Sequence, residues 1–201
     1  MGFKDAKLNF LVDIATDLFM CRSIQDVTIK DIAITAQVGE ATIYRYFSKK
    51  QGLVLYAAMK ILDDVQSNYF KLEKEMNGYQ KIEVFYLSYL EIFKDHPNYY
   101  KFLREFDLYM SEEKGDALGT YEAIIEQYNN AYLKAYEEGI KDGSVKEQKD
   151  INLFYFSTTH AVIELCKKLS LKEVLHQDFT IEKFGEIKYL IDLILNTLKN
   201  A

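Results

Sequence analysis

Val27-Thr28-Ile29-Lys30-Asp31-Ile32-Ala33 and, shortly after it, Ala36-Gln37-Val38-Gly39-Glu40-Ala41-Thr42-Ile43-Tyr44-Arg45-Tyr46-Phe47 decide how the 201-residue chain is built. Thr28 stands directly before Ile29, Ile32, Ala33 and Ala36, the spacing of one helix face. Thr28 with Asp31 approximates a capping box, a carboxylate standing in for the usual Glu or Gln. Gln37, Val38 and Gly39 interrupt that pattern. A second box, Ser48-x-x-Gln51, predicts the opening of another helix, so the helix between must be very short. Within it Gly39, Ile43 and Phe47 recur every four residues and predict an inward stripe. Glu40, Ala41, Tyr44 and Arg45 then fall outward, with Thr42 and Tyr46 on the flank.

Helical periodicity continues in both directions. Upstream, Leu8, Leu11, Val12, Ala15, Leu18 and Phe19 form one stripe. Downstream, Leu53, Leu55, Tyr56, Met59, Leu62 and Val65 predict a long helix over about 48–75. Further helices are expected at Lys81–Lys94, Tyr99–Met110, Tyr121–Lys141, Ile151–Leu169 and Ile181–Leu198. His96-Pro97-Asn98 is a sharp break, with proline suited to a first helical position. Ser111–Gly119 reads as a charged loop, and Gly143 as a left-handed stop. With one proline and nine scattered glycines, the chain lacks the turn punctuation of a sheet protein, so the fold class is all-α.

Composition narrows the function. A chain 49% hydrophobic and 28% charged buries a real core and stays in solution. No export signal is read at the N-terminus and no apolar run is long enough to span a bilayer, so a cytoplasmic protein without membrane contact is expected. Cys21 and Cys166, far apart in predicted helices, read as small buried thiols. The net charge of −6 is unevenly spread: residues 1–50 carry seven basic and six acidic groups, the rest 18 and 25. Phosphate binding depends on the local field, and the less acidic segment is the one with the short helices.

The two runs, with Lys49-Lys50-Gln51-Gly52-Leu53 and the upstream Ala15-x-x-Leu18-Phe19, resemble the N-terminal signature of the TetR family of bacterial transcriptional regulators over about residues 8–56. The resemblance implies a helix-turn-helix DNA-binding domain at 1–50 and a helical regulatory and dimerisation domain at 51–201, joined by the long helix. Departures are Ser23, Gln37 and Ala41 where the family usually has glycine, and Gly39 where it usually has serine. In such a motif the second helix enters the major groove of double-stranded operator DNA and its first residues meet base edges. Arg45 suits a bidentate guanine contact or a phosphate, and Thr42 a thymine methyl or a phosphate. Glu40 either accepts from a cytosine amine or is simply a favourable acid at a helix start. The resemblance further implies DNA contacts by Tyr44 and Tyr46, and phosphate contacts by Thr28 and Lys50. Gly39 is the expected cap of the reading helix.

One short helix reads too few bases, so a homodimer on a palindrome is expected. The last two helices are apolar on more than one face, which predicts either a dimer interface including Phe154, Val162, Leu165, Leu190, Ile194 and Leu198, or central core helices. Tyr86, Tyr89, Phe93, Phe102, Phe106, Tyr109, Tyr128 and Tyr132 predict either a pocket for an apolar or amphipathic small-molecule effector, or an ordinary aromatic core. The resemblance implies a repressor released by that effector; an activator of the same fold and a sensor without DNA binding are the alternatives. Against an enzyme, Glu173-x-x-His176 is a single copy of a spacing that di-iron bundles use twice. No nucleophile elbow, phosphate loop or zinc spacing is present, and no metal or cofactor is implied.

Overall fold

The computed structural model describes residues 3–111, 118–171 and 182–200. The described residues form nine helices and no named strand: α1 (Phe3–Cys21), α2 (Ile29–Thr35), α3 (Glu40–Phe47), α4 (Lys50–Tyr69), α5 (Gly78–Asp95), α6 (Pro97–Met110), α7 (Gly119–Asp142), α8 (Ile151–Leu169) and α9 (Lys183–Leu198). The Glu173-x-x-His176 motif, the expected helix start at Ile181 and most of the Ser111–Gly119 loop lie outside the described residues.

Two compact units form, Met1–Asp64 with Lys101–Ile124, and Val65–Tyr100 with Ile125–Ala201. The first therefore extends past residue 50. Leu53, Val54, Ala57, Ala58, Ile61 and Leu62 of α4 are buried, as are Leu11, Val12, Ala15 and Phe19 of α1 and Ile32 and Ala33 of α2. In the second unit α5 packs against α8 and α9, and α8 against α9. Ile82, Tyr86, Ile92, Tyr100, Val162, Cys166, Ile187, Ile191 and Leu198 are its most completely buried side chains. At Gly78 of α5 and Gly139 of α7 the backbones come so close that a Cβ on Gly78 would fall on the main chain of Gly139.

Helix ends follow the local chemistry. Pro97 opens α6, where its missing N–H costs nothing. Gly143, at φ +78°, follows the last residue of α7 in the left-handed conformation expected of it. The long helix stops at Tyr69, short of 75, because a charged stretch leads to Asn77, which caps α5. Asn77 Oδ1 accepts from the Gln80 N–H and Gln80 Oε1 from the Asn77 N–H, each at 2.9 Å, a capping box the periodicity did not reveal. Ser48 does not cap α4. It closes α3 at φ 59°, its N–H donating to the Tyr44 carbonyl, and α4 begins two residues later.

Candidate nucleic-acid interface

The capping box read at the start of α2 is formed. Thr28 Oγ1 accepts from the Asp31 N–H at 3.1 Å, and Asp31 Oδ2 accepts from the Thr28 N–H at 2.8 Å. The Thr28 N–H, its hydroxyl and the nearby Arg22 and Lys30 hold the Asp31 carboxyl below its usual range. Arg22, at 3.6 Å from that carboxylate, adds an exposed ion pair.

The turn into α3 forms without a glycine. Gln37 takes φ 53°, the Gln37 N–H donates to the Ile34 carbonyl at 3.1 Å, and the Val38 N–H reaches the Ala33 carbonyl at 3.0 Å. These two bonds are the Schellman pattern that ends a helix, here with a glutamine in the left-handed position. Gly39 then caps α3 with extended backbone (φ −75°) and no side-chain bond. A Cβ there meets nothing within 4 Å.

α3 divides into two faces. Ile43 and Phe47 are buried, and Phe47 meets the Tyr56 ring edge-on at 5.5 Å. Gly39, Glu40, Ala41, Tyr44 and Arg45 are exposed, while Thr42 and Tyr46 are half-buried. The Arg45 guanidinium lies over the Tyr46 ring, 5.5 Å from its centre. Arg45 therefore stands out from the helix on an aromatic support.

Lys50 is directed elsewhere. Its ammonium donates to the carbonyl of Ile24, lies 3.4 Å from that of Gln25, and sits 5.3 Å from the centre of the Tyr109 ring. Burial lowers its pKa, and Asp26 and Asp31 oppose that shift. On the other side of the same turn, Glu105 Oε2 accepts from the Ile24 N–H at 2.6 Å. The segment between α1 and α2 is thus held by Lys50 of α4 and Glu105 of α6. No sequence signal marked Glu105, because its partner is 81 residues away.

The aromatic set is divided between the units. Phe102, Phe106 and Tyr109 belong to the first, where Phe102 and Phe106 stack at 6.1 Å. Tyr86, Tyr89, Phe93, Tyr128 and Tyr132 belong to the second. There a cavity of about 230 Å³ is lined by Tyr128 and Tyr132 together with Phe70, Lys81, Ile82 and Phe85. Tyr86 and Tyr89 are buried and do not line it. Phe70 and Phe85 lie outside the aromatic set read from the sequence: Phe70 falls just beyond α4, and Phe85 is a buried position of α5.

Of the residues expected at an interface between copies, Val162, Ile194 and Leu198 are buried within the second unit, and Phe154, Leu165 and Leu190 are half-buried. The large apolar side chains that α8 and α9 expose are Leu153, Phe156, Tyr189 and Leu193, at 63%, 45%, 68% and 49%. Each helix is apolar on two sides. The side carrying Val162, or Ile194 and Leu198, faces the unit's own core.

Residues 11–57 match the family described as bacterial regulatory proteins, tetR family. Over 154 residues the chain is 24% identical to the HTH-type transcriptional repressor KstR2 of Rhodococcus jostii (strain RHA1), covering 76% of this chain and 74% of that protein. A transcriptional regulator from Saccharomonospora viridis, solved in complex with choline, superposes at a TM-score of 0.74 with 16% identity, over 98% of this chain and all of that one. The ketosteroid regulator KstR2 of Mycobacterium tuberculosis superposes at 0.66 with 14% identity, over 96% and 95%. At such identities the solved structures speak for the fold alone. The family match coincides with the segment that builds the two-faced α3. Residues 11–57 thus carry the N-terminal segment of the TetR family of bacterial transcriptional regulators.

Proposed function

We propose that the chain is a repressor that binds a palindromic operator as a homodimer and is released by a small molecule. The observation that carries the reading is α3: Ile43 and Phe47 anchor it, leaving Glu40, Tyr44 and Arg45 exposed on one short helix. That is the shape of a major-groove reader whose first residues meet base edges. Arg45 supplies the guanine or phosphate contact, Thr42 and Tyr44 flank it, and Tyr46 supports the guanidinium. Thr28 and Lys50 serve phosphates at the edges of the motif. Lys50 would exchange the main-chain carbonyls it now holds for a phosphate oxygen.

Two copies would meet through Leu153 and Phe156 of α8 and Tyr189 and Leu193 of α9, which lie at helical spacing on exposed faces. The repressor assignment is supported by the curated relative's description as a repressor. The cavity of the second unit supports effector binding. Among the described residues no helix is long and apolar enough to cross a membrane, and no cluster of His, Cys, Asp or Glu is fit to hold a metal.

The test is selection of bound sequences from a random DNA pool at moderate salt. A palindrome with half-sites about one helical turn apart, or slightly more, is the expected result. No enrichment at any salt would remove the reading head and leave a helical sensor.

A further inference from the structure

We propose that the cavity of the second unit takes a compact, uncharged molecule of one or two rings, recognised by ring packing and not by charge. The inference rests on the effector-release reading but concerns only what the cavity holds.

Size sets the first limit. An apolar cavity of about 150 Å³ accommodates benzene, so the 230 Å³ here admits roughly nine to twelve non-hydrogen atoms. A four-ring skeleton exceeds that.

The walls set the second. Phe70 meets Tyr128 edge-on at 5.0 Å and 84°, and Phe85 meets Tyr132 at 5.1 Å and 63°. Phe70 and Phe85 are themselves 5.6 Å apart. Four rings already tilted against one another offer edges and faces in the arrangement that a further ring prefers. An alkyl chain fills the same space without those contacts.

Charge sets the third. Lys81 is the charged residue at the lining, and its ammonium is paired with Glu138 of α7, whose carboxyl it holds below the usual range. An anion would have to take Lys81 from Glu138, and a cation would meet the ammonium. Burial pushes the Tyr132 hydroxyl up, so it stays neutral. Its contact with Tyr86 Oη is long, 3.4 Å, whereas Tyr86 Oη is held at 2.7 Å by Thr158 Oγ1. Gln66, Tyr128 and Tyr132 are the uncharged polar residues of the lining, available to one hydroxyl or carbonyl on the occupant.

The chain has no tryptophan, so 2-naphthol fluorescence can be followed on the intact protein without an indole background. Saturable binding of one 2-naphthol per chain is expected, with 2-naphthoate at least tenfold weaker and neither 1-decanol nor tetramethylammonium displacing it. Ala131 is exposed and lines the cavity, so Ala131→Phe, which adds bulk without an indole, should keep its helix content and melting temperature while weakening 2-naphthol at least tenfold. Absence of saturable binding overturns the proposal. So does 2-naphthoate or tetramethylammonium binding as tightly, displacement by decanol, or an Ala131→Phe protein that binds as before. Operator affinity is measured separately. If 2-naphthol binds without weakening the operator complex, the ring preference stands and effector release fails.

Discussion

Glu105 and Ile24 are joined by a 2.6 Å hydrogen bond from the Ile24 N–H to the Glu105 carboxylate, while Lys50 takes the carbonyl of the same residue. Ile24 is fully buried, so neither polar group has water as an alternative. Glu105→Ala should lose about 1–3 kcal/mol of stability by stranding the N–H. Glu105→Gln, which keeps an acceptor, should lose clearly less. Urea unfolding of the two variants checks this; equal losses would mean the bond contributes nothing of its own.

Arg45 and Lys50 separate by their response to DNA sequence and salt. Arg45→Ala should relax base preference or weaken binding by about 1–3 kcal/mol. Lys50→Ala should weaken every sequence alike and flatten the salt slope by roughly one. If the slope is unchanged and only stability falls, Lys50 is purely the tie to Ile24 and Gln25.

Two substitutions toward the family pattern should stabilise. Gln37 is exposed and left-handed at φ 53°, so Gln37→Gly should gain about 0.5–1 kcal/mol by removing Cβ strain, less what glycine's freer unfolded chain takes back. Gly39→Ser has open space for its side chain and should add a cap bond of a few tenths of a kcal/mol. Melting temperatures of both variants measure the effect.

How far the chain could be read follows from which signals are local. The Thr28–Asp31 box and the division of α3 into Ile43 and Phe47 against Tyr44 and Arg45 were legible because capping and helical period are properties of a few adjacent residues. Ser48-x-x-Gln51 has the same kind of spacing and misled, since Ser48 adopts φ 59° and closes the preceding helix. The outward sides of α8 and α9 were not legible. A helix apolar on two sides does not say which side its own core claims, and Val162 and Leu198 are fully buried while Leu153 and Tyr189 stand out. The tie from Glu105 to Ile24 joins segments with no shared local pattern.

Association can be tested on those exposed residues. Phe156→Glu with Leu193→Glu should give monomers by sedimentation with the helix content retained. Ile194→Glu, by contrast, introduces a charge at a position only 6% exposed and should unfold the unit. Dimers that survive the double change would move the contact off α8 and α9.

Burial pushes the Cys166 thiol up to about 12, from an ordinary 9.0. The folded state thus keeps it protonated where the unfolded chain ionises, so stability is intact below about pH 9 and falls as pH rises toward 12. Tyr89 and Tyr100, also raised by burial, act in the same direction. Alkaline titration followed by circular dichroism should show this loss. At pH 8 a thiol reagent should label one cysteine per native chain, the exposed Cys21, and two after denaturation. Two labelled in the native protein would contradict the burial of Cys166.

The crossing at Gly78 and Gly139 reaches further than its own two residues. The cavity lining begins on α5 at Lys81 and continues to Phe85, and on α7 it runs back from Ala135 to Tyr128. At 1.5 Å of rise per residue, its walls stand some 5–16 Å along the helices from that crossing. A methyl group at Gly78 would work as a wedge driven between two crossed rods, prising α5 from α7 and altering the gap between the rings. What the cavity admits is therefore governed in part by two residues that no occupant would touch, and a change of chemical taste in this protein need not begin inside the pocket.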